Sequence, residues 1–443
     1  MNTFLSFCLR LCLAFMFFWT NSFLAKAALV LTPNTQFSIL TCSPGSELYS
    51  LFGHTAIRVQ DVQHGKIIDL VFNYGTFDYD DDFYFKFAMG KLDYKLSVSR
   101  FGDFQKEYID EMRGIEEQTL LLNHAQRIHL WGLLQANYLP ENQTYRYDFF
   151  YDNCSTRARD IILLACQLSH QYPVPDSIDV PTAIDYSKAL HESFPNLGDP
   201  SRRQSMANTN TLQFTYTYPC AYSFRQAIDQ YLKYQPWSDF GIDVALGLPC
   251  DRTVLPTQSM FLPDSLKKEF HFGLNADAPI VKPTEDLLFN ENQLTPPSWL
   301  TPFWTFFGLL LLLILSTYRK YINWPNVTWL DRIVLFLIGM IGLLVVFLWF
   351  ITDHHGTVNN LNILWAHPLW IYLVFDTKSP RAVLLAKSCG IILALTLIGF
   401  FLLPQQLPIA SIPLMLSCAL ICAKVIVKSR RLRLKPTQIV TPV

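Results

Sequence analysis

Apolar and polar positions divide the chain into three regimes. At the start, Leu11 to Trp19 form an apolar run behind Arg10, and Ala25-Lys26-Ala27 follows as an A-x-A cleavage signal. Residues 1–27 are therefore expected to be a signal peptide that sends the following chain across a membrane. From residue 28 to about 170 the pattern alternates between period two and period 3.6. Gln36 to Thr41, Thr55 to Gln60 and Lys66 to Tyr74 read as strands. Residues 104–137 carry helical periodicity, with Ile128, Leu130, Trp131 and Leu134 close to one face. A second helix is expected from about Cys154 to Ser169. It has Asp152-Asn153 as the cap and Ala158, Ile161, Ile162, Ala165 and Leu168 as the buried stripe.

Residues 171–276 are richer in proline and polar groups, with a helix expected from Phe224 to Tyr234, and read as a mostly helical accessory lobe. Residues 277–300 hold four prolines and no periodicity, and read as a linker. Beyond residue 300 the third regime begins. Five apolar segments follow, at about 302–317, 331–351, 360–375, 382–403 and 407–427. A spanning helix needs about 20 residues, within a range of about 17 to 25. Arg319 and Lys320 follow the first segment, Lys378 and Arg381 the third, and Lys428 to Lys435 the fifth, whereas 352–359 and 404–406 carry no Lys or Arg. Positive residues stay on the cytoplasmic side. This predicts five transmembrane helices in 301–428 and a cytoplasmic basic tail at 429–443. The domain at 28–170 then lies in the periplasm of a bacterial cell, against its inner membrane. The fold class expected is α+β, followed by an α-helical bundle.

Composition changes this picture little. Half of the 443 residues are hydrophobic and 16% are charged, against about 25% in soluble domains. A net charge of -1 provides no field for nucleic acid. Five of the ten cysteines lie in the exported part: Cys42, Cys154, Cys166, Cys220 and Cys250. An odd number leaves at least one thiol free or paired with another chain. Cys220 and Cys250 both follow a proline and are the suggested pair.

Two motifs carry candidate chemistry. Phe52-Gly53-His54-Thr55-Ala56-Ile57-Arg58-Val59 starts a strand with a histidine, and Tyr151-Asp152-Asn153-Cys154-Ser155-Thr156-Arg157 puts a cysteine in the first turn of a helix. A helix amino terminus favours a thiolate over a thiol. Its free N–H groups can also stabilise an oxyanion. With His54 as base, Cys154 would be a nucleophile for acyl transfer. Taken singly, a cysteine or a histidine in such a place is more often a packed structural group, and it is their joint placement that points to chemistry. Asn73, on the following strand, would orient the imidazole or form a turn before Gly75. Glu47 and Tyr49 lie in a loop before His54 and would contact substrate or the loop itself. Arg58 and Arg157 are candidate phosphate donors, or members of ion pairs. His354, Asn360 and Asn362 lie at the outer membrane face, as substrate contacts or as helix caps. Asp80-Asp81-Asp82 reads as a solvated loop. Asp353 with His354-His355 is too small a cluster for a metal cage. Neither a metal nor a cofactor is expected.

The order of these motifs, His strand before Cys helix, resembles the circularly permuted papain-like thiol enzymes, lecithin:retinol acyltransferase and its phospholipid-acyltransferase relatives among them. Their nucleophile stands in an Asn-Cys pair, matched by Asn153-Cys154. A closer resemblance covers nearly the whole mature chain. Residues 44–58 (Pro-Gly-Ser-Glu-Leu-Tyr-Ser-Leu-Phe-Gly-His-Thr-Ala-Ile-Arg), Val71-Phe72-Asn73-Tyr74-Gly75 and Phe149 to Arg157 are similar to segments of the Lnb family of lipoprotein N-acyltransferases. So are Asp239-Phe240-Gly241-Ile242-Asp243, Met260-Phe261-Leu262-Pro263, Thr352-Asp353-His354 and Asn360 to Trp365. The resemblance implies that Cys154, with His54 and Asn73, takes an acyl chain from a membrane phospholipid. The acyl group then passes to the amino terminus of a diacylated lipoprotein, and Glu47, Tyr49, Asn153, Arg58, Arg157, His354, Asn360 and Asn362 are candidate substrate contacts. The rival is an NlpC-like cysteine peptidase or amidase acting on cell-wall peptides, which would not need five membrane helices. A third reading is a non-catalytic membrane assembly factor.

Overall fold

The computed structural model describes residues 31–47, 49–77, 81–171, 186, 188, 191–192, 212–214, 222–275, 277–290, 299–319 and 327–434. The expected signal peptide, Asp80, Cys220 and the end of the basic tail lie outside the described residues.

A seven-stranded antiparallel sheet organises the first part, in the order β10-β5-β1-β2-β3-β4-β6. Its strands are β1 (Gln36–Cys42), β2 (His54–Gln63), β3 (Lys66–Thr76), β4 (Asp93–Arg100), β5 (Ile115–Thr119), β6 (Thr144–Arg146) and β10 (Glu285–Leu288). A small second sheet holds β7 (Leu212–Phe214), β8 (Gly273–Asn275) and β9 (Ala278–Pro279). Helix α1 (Phe83–Ala88) lies in the β3–β4 connection, and α2 (Phe101–Asp110) follows β4. Alternation sends Leu40, Ala56 and Val71 to the face covered by Phe104 and Tyr108 of α2. Ile39, Ile57 and Phe72 point to the other face, against α3 (His124–Asn137) and α4 (Cys154–Gln171). The stripe expected on α4 is there: Ala158, Ile161, Ile162 and Ala165 are all at most 1% exposed. Each isoleucine contributes about 1.5–3 kcal/mol by burial.

The lobe comprises α5 (Phe224–Leu232), α6 (Pro236–Ala245), α7 (Pro256–Ser259) and α8 (Pro263–Phe272). Arg225 is fully buried and pins it, bonding Asp243 at 2.7 Å and Asp251 at 3.0 Å. On one side Phe150, Phe224 and Phe261 form an aromatic cluster with Leu51. On the other, Phe240 and Val244 of α6 join the core of the membrane helices.

Among the described residues, three helices are long and apolar enough to cross a membrane: Trp329–Phe350, Pro380–Ile398 and Ser411–Ser429. Pro302–Tyr318 is a shorter apolar helix. These belong to α9 (Pro302–Arg319), α10 (Trp329–Phe350), α12 (Pro380–Ile398) and α13 (Ser411–Leu434). Their core holds a buried ion pair, Lys424 Nζ to Asp331 Oδ1 at 2.8 Å.

Four sequence expectations change. The helical periodicity at 104–137 resolves into α2, β5 and α3, because Met112 adopts a left-handed conformation (φ 53) that ends the first helix. Part of the expected linker is β10, an edge strand paired with β5. The apolar segment 360–375 is not one helix. It is a 3-10 turn at Leu361–Leu364 and a short helix, α11 (Trp370–Phe375), since Asn360 and Asn362 turn their amides onto backbone carbonyls of α6. Finally, Cys250 is a free, buried thiol that donates to the Gly356 carbonyl at 3.2 Å.

Candidate active site

His54 opens β2 and Cys154 opens α4. Gly53 makes the first placement possible. Its φ is +78, and a Cβ there would lie 2.7 Å from the Cys42 carbonyl oxygen, so only glycine fits. Asn153 makes the second. Its Oδ1 accepts from the N–H groups of Ser155 (2.9 Å) and Thr156 (3.0 Å), and its own N–H donates to the Thr156 hydroxyl (2.8 Å). Its amide nitrogen donates to the Phe149 and Phe261 carbonyls at 2.7 and 2.8 Å. The cap is thus tethered to the lobe, and the next residue is Cys154. Beside the pair, the hydroxyls of Thr55 and Ser155 meet at 2.8 Å and tie β2 to α4. Gly75 sits in a bulge of β3 at φ +97. A Cβ there would lie 3.5 Å from His54 Cε1 and 3.7 Å from Cys154 Cβ.

Nε2 of His54 lies 2.6 Å from Oδ1 of Asn73. With a carbonyl oxygen as partner, Nε2 carries the proton, which leaves Nδ1 for the thiol. Imidazole and thiol lie close enough for each to shift the other's charge state. Burial opposes a charge on Cys154, but the His54 charge, the His54 hydrogen bond, the Thr55 N–H and the Ser155 hydroxyl outweigh it and lower the thiol's pKa. Burial likewise opposes a charge on His54, and the Cys154 charge, the Cys154 hydrogen bond and Asn73 outweigh it and raise the imidazole's pKa. The pair therefore favours thiolate and imidazolium. Burial also acts on Cys42, Cys166 and Cys250 and pushes their thiols up to about 12, whereas at Cys154 the pairing with His54 reverses it. Cys154 is partly exposed, whereas those three are buried.

The other candidate residues are distributed differently. Glu47 and Tyr49 are exposed on the loop before Gly53. Arg58 is buried, 2.7 Å from Asp69 and 3.2 Å from Glu117, with its guanidinium over Phe101. Arg157 bonds both oxygens of Asp152 at 2.5 and 2.8 Å and covers Tyr145. Both arginines are thus matched by carboxylates, the ion-paired alternative of the two considered. Two of the leading N–H groups of α4 are taken by Asn153 and are not available to an oxyanion. The Thr55 N–H helps to lower the thiol's pKa, a contribution that the sequence did not suggest.

The polar residues of the outer membrane loop act as a joint. Asn360 and Asn362 are wholly buried and donate to Val244 (2.8 Å) and Asp243 (3.0 Å) carbonyls. Gln405 joins them, through Asn360 Oδ1 at 3.1 Å. His354 Nε2 lies 3.1 Å from the Phe87 carbonyl, and His355 Nδ1 lies 2.9 Å from Asp148. Asp148 in turn accepts from the N–H groups of Phe150 and Tyr151, both at 2.9 Å, in the turn that leads to Cys154. The membrane loop therefore braces that turn.

Among the described residues, one further group has the spacing of metal ligands: Asp229, Asp239 and Asp243, with ligand oxygens within 4.8 Å of one another. Burial, then the neighbouring carboxylates, pushes Asp229 to about 7 and Asp239 to about 6. These acids line a cavity of about 860 Å³ beneath the 400–410 loop. The i, i+4 spacing of Asp239 and Asp243 was the signal available in the sequence; the arrival of Asp229 from another helix was not readable.

Residues 30–181 match the family described as the Lnb N-terminal periplasmic domain, and residues 294–431 match the Lnb transmembrane domain. No curated protein and no solved structure matches the chain.

Proposed function

The chain belongs to the Lnb family, and from that premise we propose that it is a thiol-dependent lipoprotein N-acyltransferase with a permuted papain-like outer domain. The observation that carries the reading is the Cys154–His54 pair, with His54 hydrogen-bonded to Asn73, on a domain tied to apolar membrane helices. The Cys154 thiolate attacks the carbonyl carbon of a phospholipid acyl ester. The tetrahedral intermediate collapses to a thioester, and the His54 imidazolium protonates the departing lysophospholipid alkoxide. The free α-amine of a diacylglyceryl-cysteine then attacks the thioester. Neutral His54 takes the amine's proton, an amide forms, and the Cys154 thiolate is restored opposite an imidazolium. Holding both substrates in one leaflet replaces a rare encounter by a local one.

Five passes fit this reading, with 360–375 as a broken one. A Cβ on Gly342, midway along α10, would lie 2.4 Å from the Ala366 carbonyl oxygen, and one on Gly339 would lie 2.6 Å from Ile371. The segment thus runs beside α10 toward the side where Lys378 and Arg381 lie, an arrangement that supports a cytoplasmic carboxyl terminus.

Purified protein incubated with acyl-labelled phospholipid should acquire a hydroxylamine-sensitive label on Cys154, and Cys154→Ala should acquire none. An unlabelled wild-type protein that cleaves cell-wall peptides would replace this proposal by the peptidase reading.

A further inference from the structure

Between β3 and β4 the chain makes an excursion that the mechanism above does not use. Helix α1 reads Phe83-Tyr84-Phe85-Lys86-Phe87-Ala88. Phe85 is 69% exposed and Phe87 53%, a costly arrangement for two large apolar rings in water. The helix sits against the outer end of α10. The Asp353 N–H donates to the Met89 carbonyl at 2.9 Å, and His354 Nε2 lies 3.1 Å from the Phe87 carbonyl. Lys91 and Arg146 flank Asp353 at 3.9 and 4.0 Å. Just before these contacts α10 ends in Phe350 and Ile351, which are also exposed. The exposed rings of α1 therefore lie beside the outer end of a helix apolar enough to span a membrane.

From α1 a chain of rings runs inward. Phe87 stacks with Phe83 at 6.4 Å, Phe83 meets Phe77 at 5.1 Å, Phe77 meets Tyr94 at 5.3 Å, and Tyr94 stacks on Tyr147 at 4.2 Å. The inner end lies at the nucleophile. Phe77 is two residues from Gly75, whose Cα faces Cys154 and His54 directly. Tyr94 packs against the same core as Cys154, and the charge of Cys154 is felt by both tyrosines.

We propose that α1 is seated in the outer leaflet through Phe85 and Phe87, and that the rings from Phe87 to Tyr147 conduct the acyl chain of a phospholipid from the bilayer to Cys154. The occupant is a membrane phospholipid, because the exposed rings lie beside the end of a membrane helix and the ring series leads to the core that holds Cys154. Aromatic side chains are favoured at this depth of a bilayer. The conducting role rests on the acyl-transfer reading above; the seating of α1 does not.

Two measurements separate these claims. The first compares acylation of Cys154 by phosphatidylethanolamine–phosphatidylglycerol proteoliposomes with its acylation by a water-soluble p-nitrophenyl ester. In the Phe85→Ser/Phe87→Ser variant the ratio of the two rates should fall by at least about tenfold, the lower bound for two rings that the bilayer covers only in part. An unchanged ratio overturns the proposal, and so does equal loss of both reactions. The second places an environment-sensitive fluorophore at Phe85→Cys in a Cys154→Ala background. Quenching by brominated phospholipids is expected, and unquenched, water-like emission overturns the seating of α1. If wild-type protein is never acylated by lipid, the acyl-transfer reading fails, and the quenching result still decides where α1 sits.

Discussion

Asn73 Oδ1 lies 2.6 Å from Nε2 of His54, and the two residues reach each other across neighbouring strands of one sheet. This contact selects the ring nitrogen that faces Cys154 and supports the imidazolium once it forms. Replacing Asn73 by Ala removes one hydrogen bond to a charged group, worth about 1.5–3 kcal/mol. Acylation of Cys154 should therefore slow by about 10- to 100-fold. Asn73→Gln, which keeps the amide at a different reach, should recover part of the rate if orientation is the cause.

The pH dependence of thiol reactivity follows from the two opposite shifts. Cys154 is lowered from an ordinary value of 9.0 and His54 is raised from 6.5. The thiolate–imidazolium pair is thus populated above the lowered thiol value and below the raised imidazole value. Alkylation of Cys154 by iodoacetamide should persist well below pH 9.0 and fall only as the pH drops through the lowered thiol pKa. In His54→Ala the principal support of the thiolate is gone and burial remains, so the midpoint should move upward. An unmoved midpoint would count against the pairing.

Gly75 tests the geometry beneath the pair. A methyl group there would meet His54 and Cys154 only in ordinary contact, but its φ of +97 is unfavourable for any residue with a Cβ. Gly75→Ala should destabilise the domain by about 1–3 kcal/mol, read as a lower midpoint in thermal unfolding. Gly75→Val adds bulk against the imidazole, and it should depress alkylation of Cys154 more than the alanine does.

The buried pair of Lys424 and Asp331 makes a prediction for the membrane part. Lys424→Met leaves an uncompensated carboxylate and should cost about 3–5 kcal/mol. Asp331 also accepts from Thr328 N–H at 2.7 Å, as the cap of α10. Combining Lys424→Met with Asp331→Asn keeps that cap and removes the stranded charge. The double variant should melt above the single one, and the reverse order would show that the pair itself is not what matters.

Asn360 and Asn362 separate two roles. As a joint between α6 and the membrane loop, they should lower the melting temperature when changed to Ala and leave KM for phospholipid near its original value. A large rise in KM with unchanged melting would make them substrate contacts instead.

How far the sequence reached depended on whether a signal was local. Helix α4 and its cap were readable because the apolar stripe, Asn153 and Cys154 all lie within a few turns. His54 was readable because Gly53 marks a tight approach. The Arg58 partner Glu117 was not, since it is far along the chain, and although Asp152 stands close to Arg157 a guanidinium offers no sign of which neighbour it will meet. Segment 360–375 was apolar enough to suggest a helix, but apolarity does not record that Asn360 and Asn362 would bond α6. The ring path from Phe87 to Tyr147 was hidden because its members come from four places: just past the end of β3, α1, β4 and the residue after β6.

Strand β10 ends at Leu288, and the first apolar helix starts at Pro302. The edge of the sheet is thus closed by nearly the last residues made before the membrane segments begin. During synthesis the outer domain has every strand of its main sheet in hand while the helices that will retain it are still unmade. The order of the chain therefore lets the thiol site assemble on the far side of the membrane first, with anchoring and the bracing of Asp148 by His355 added as later steps.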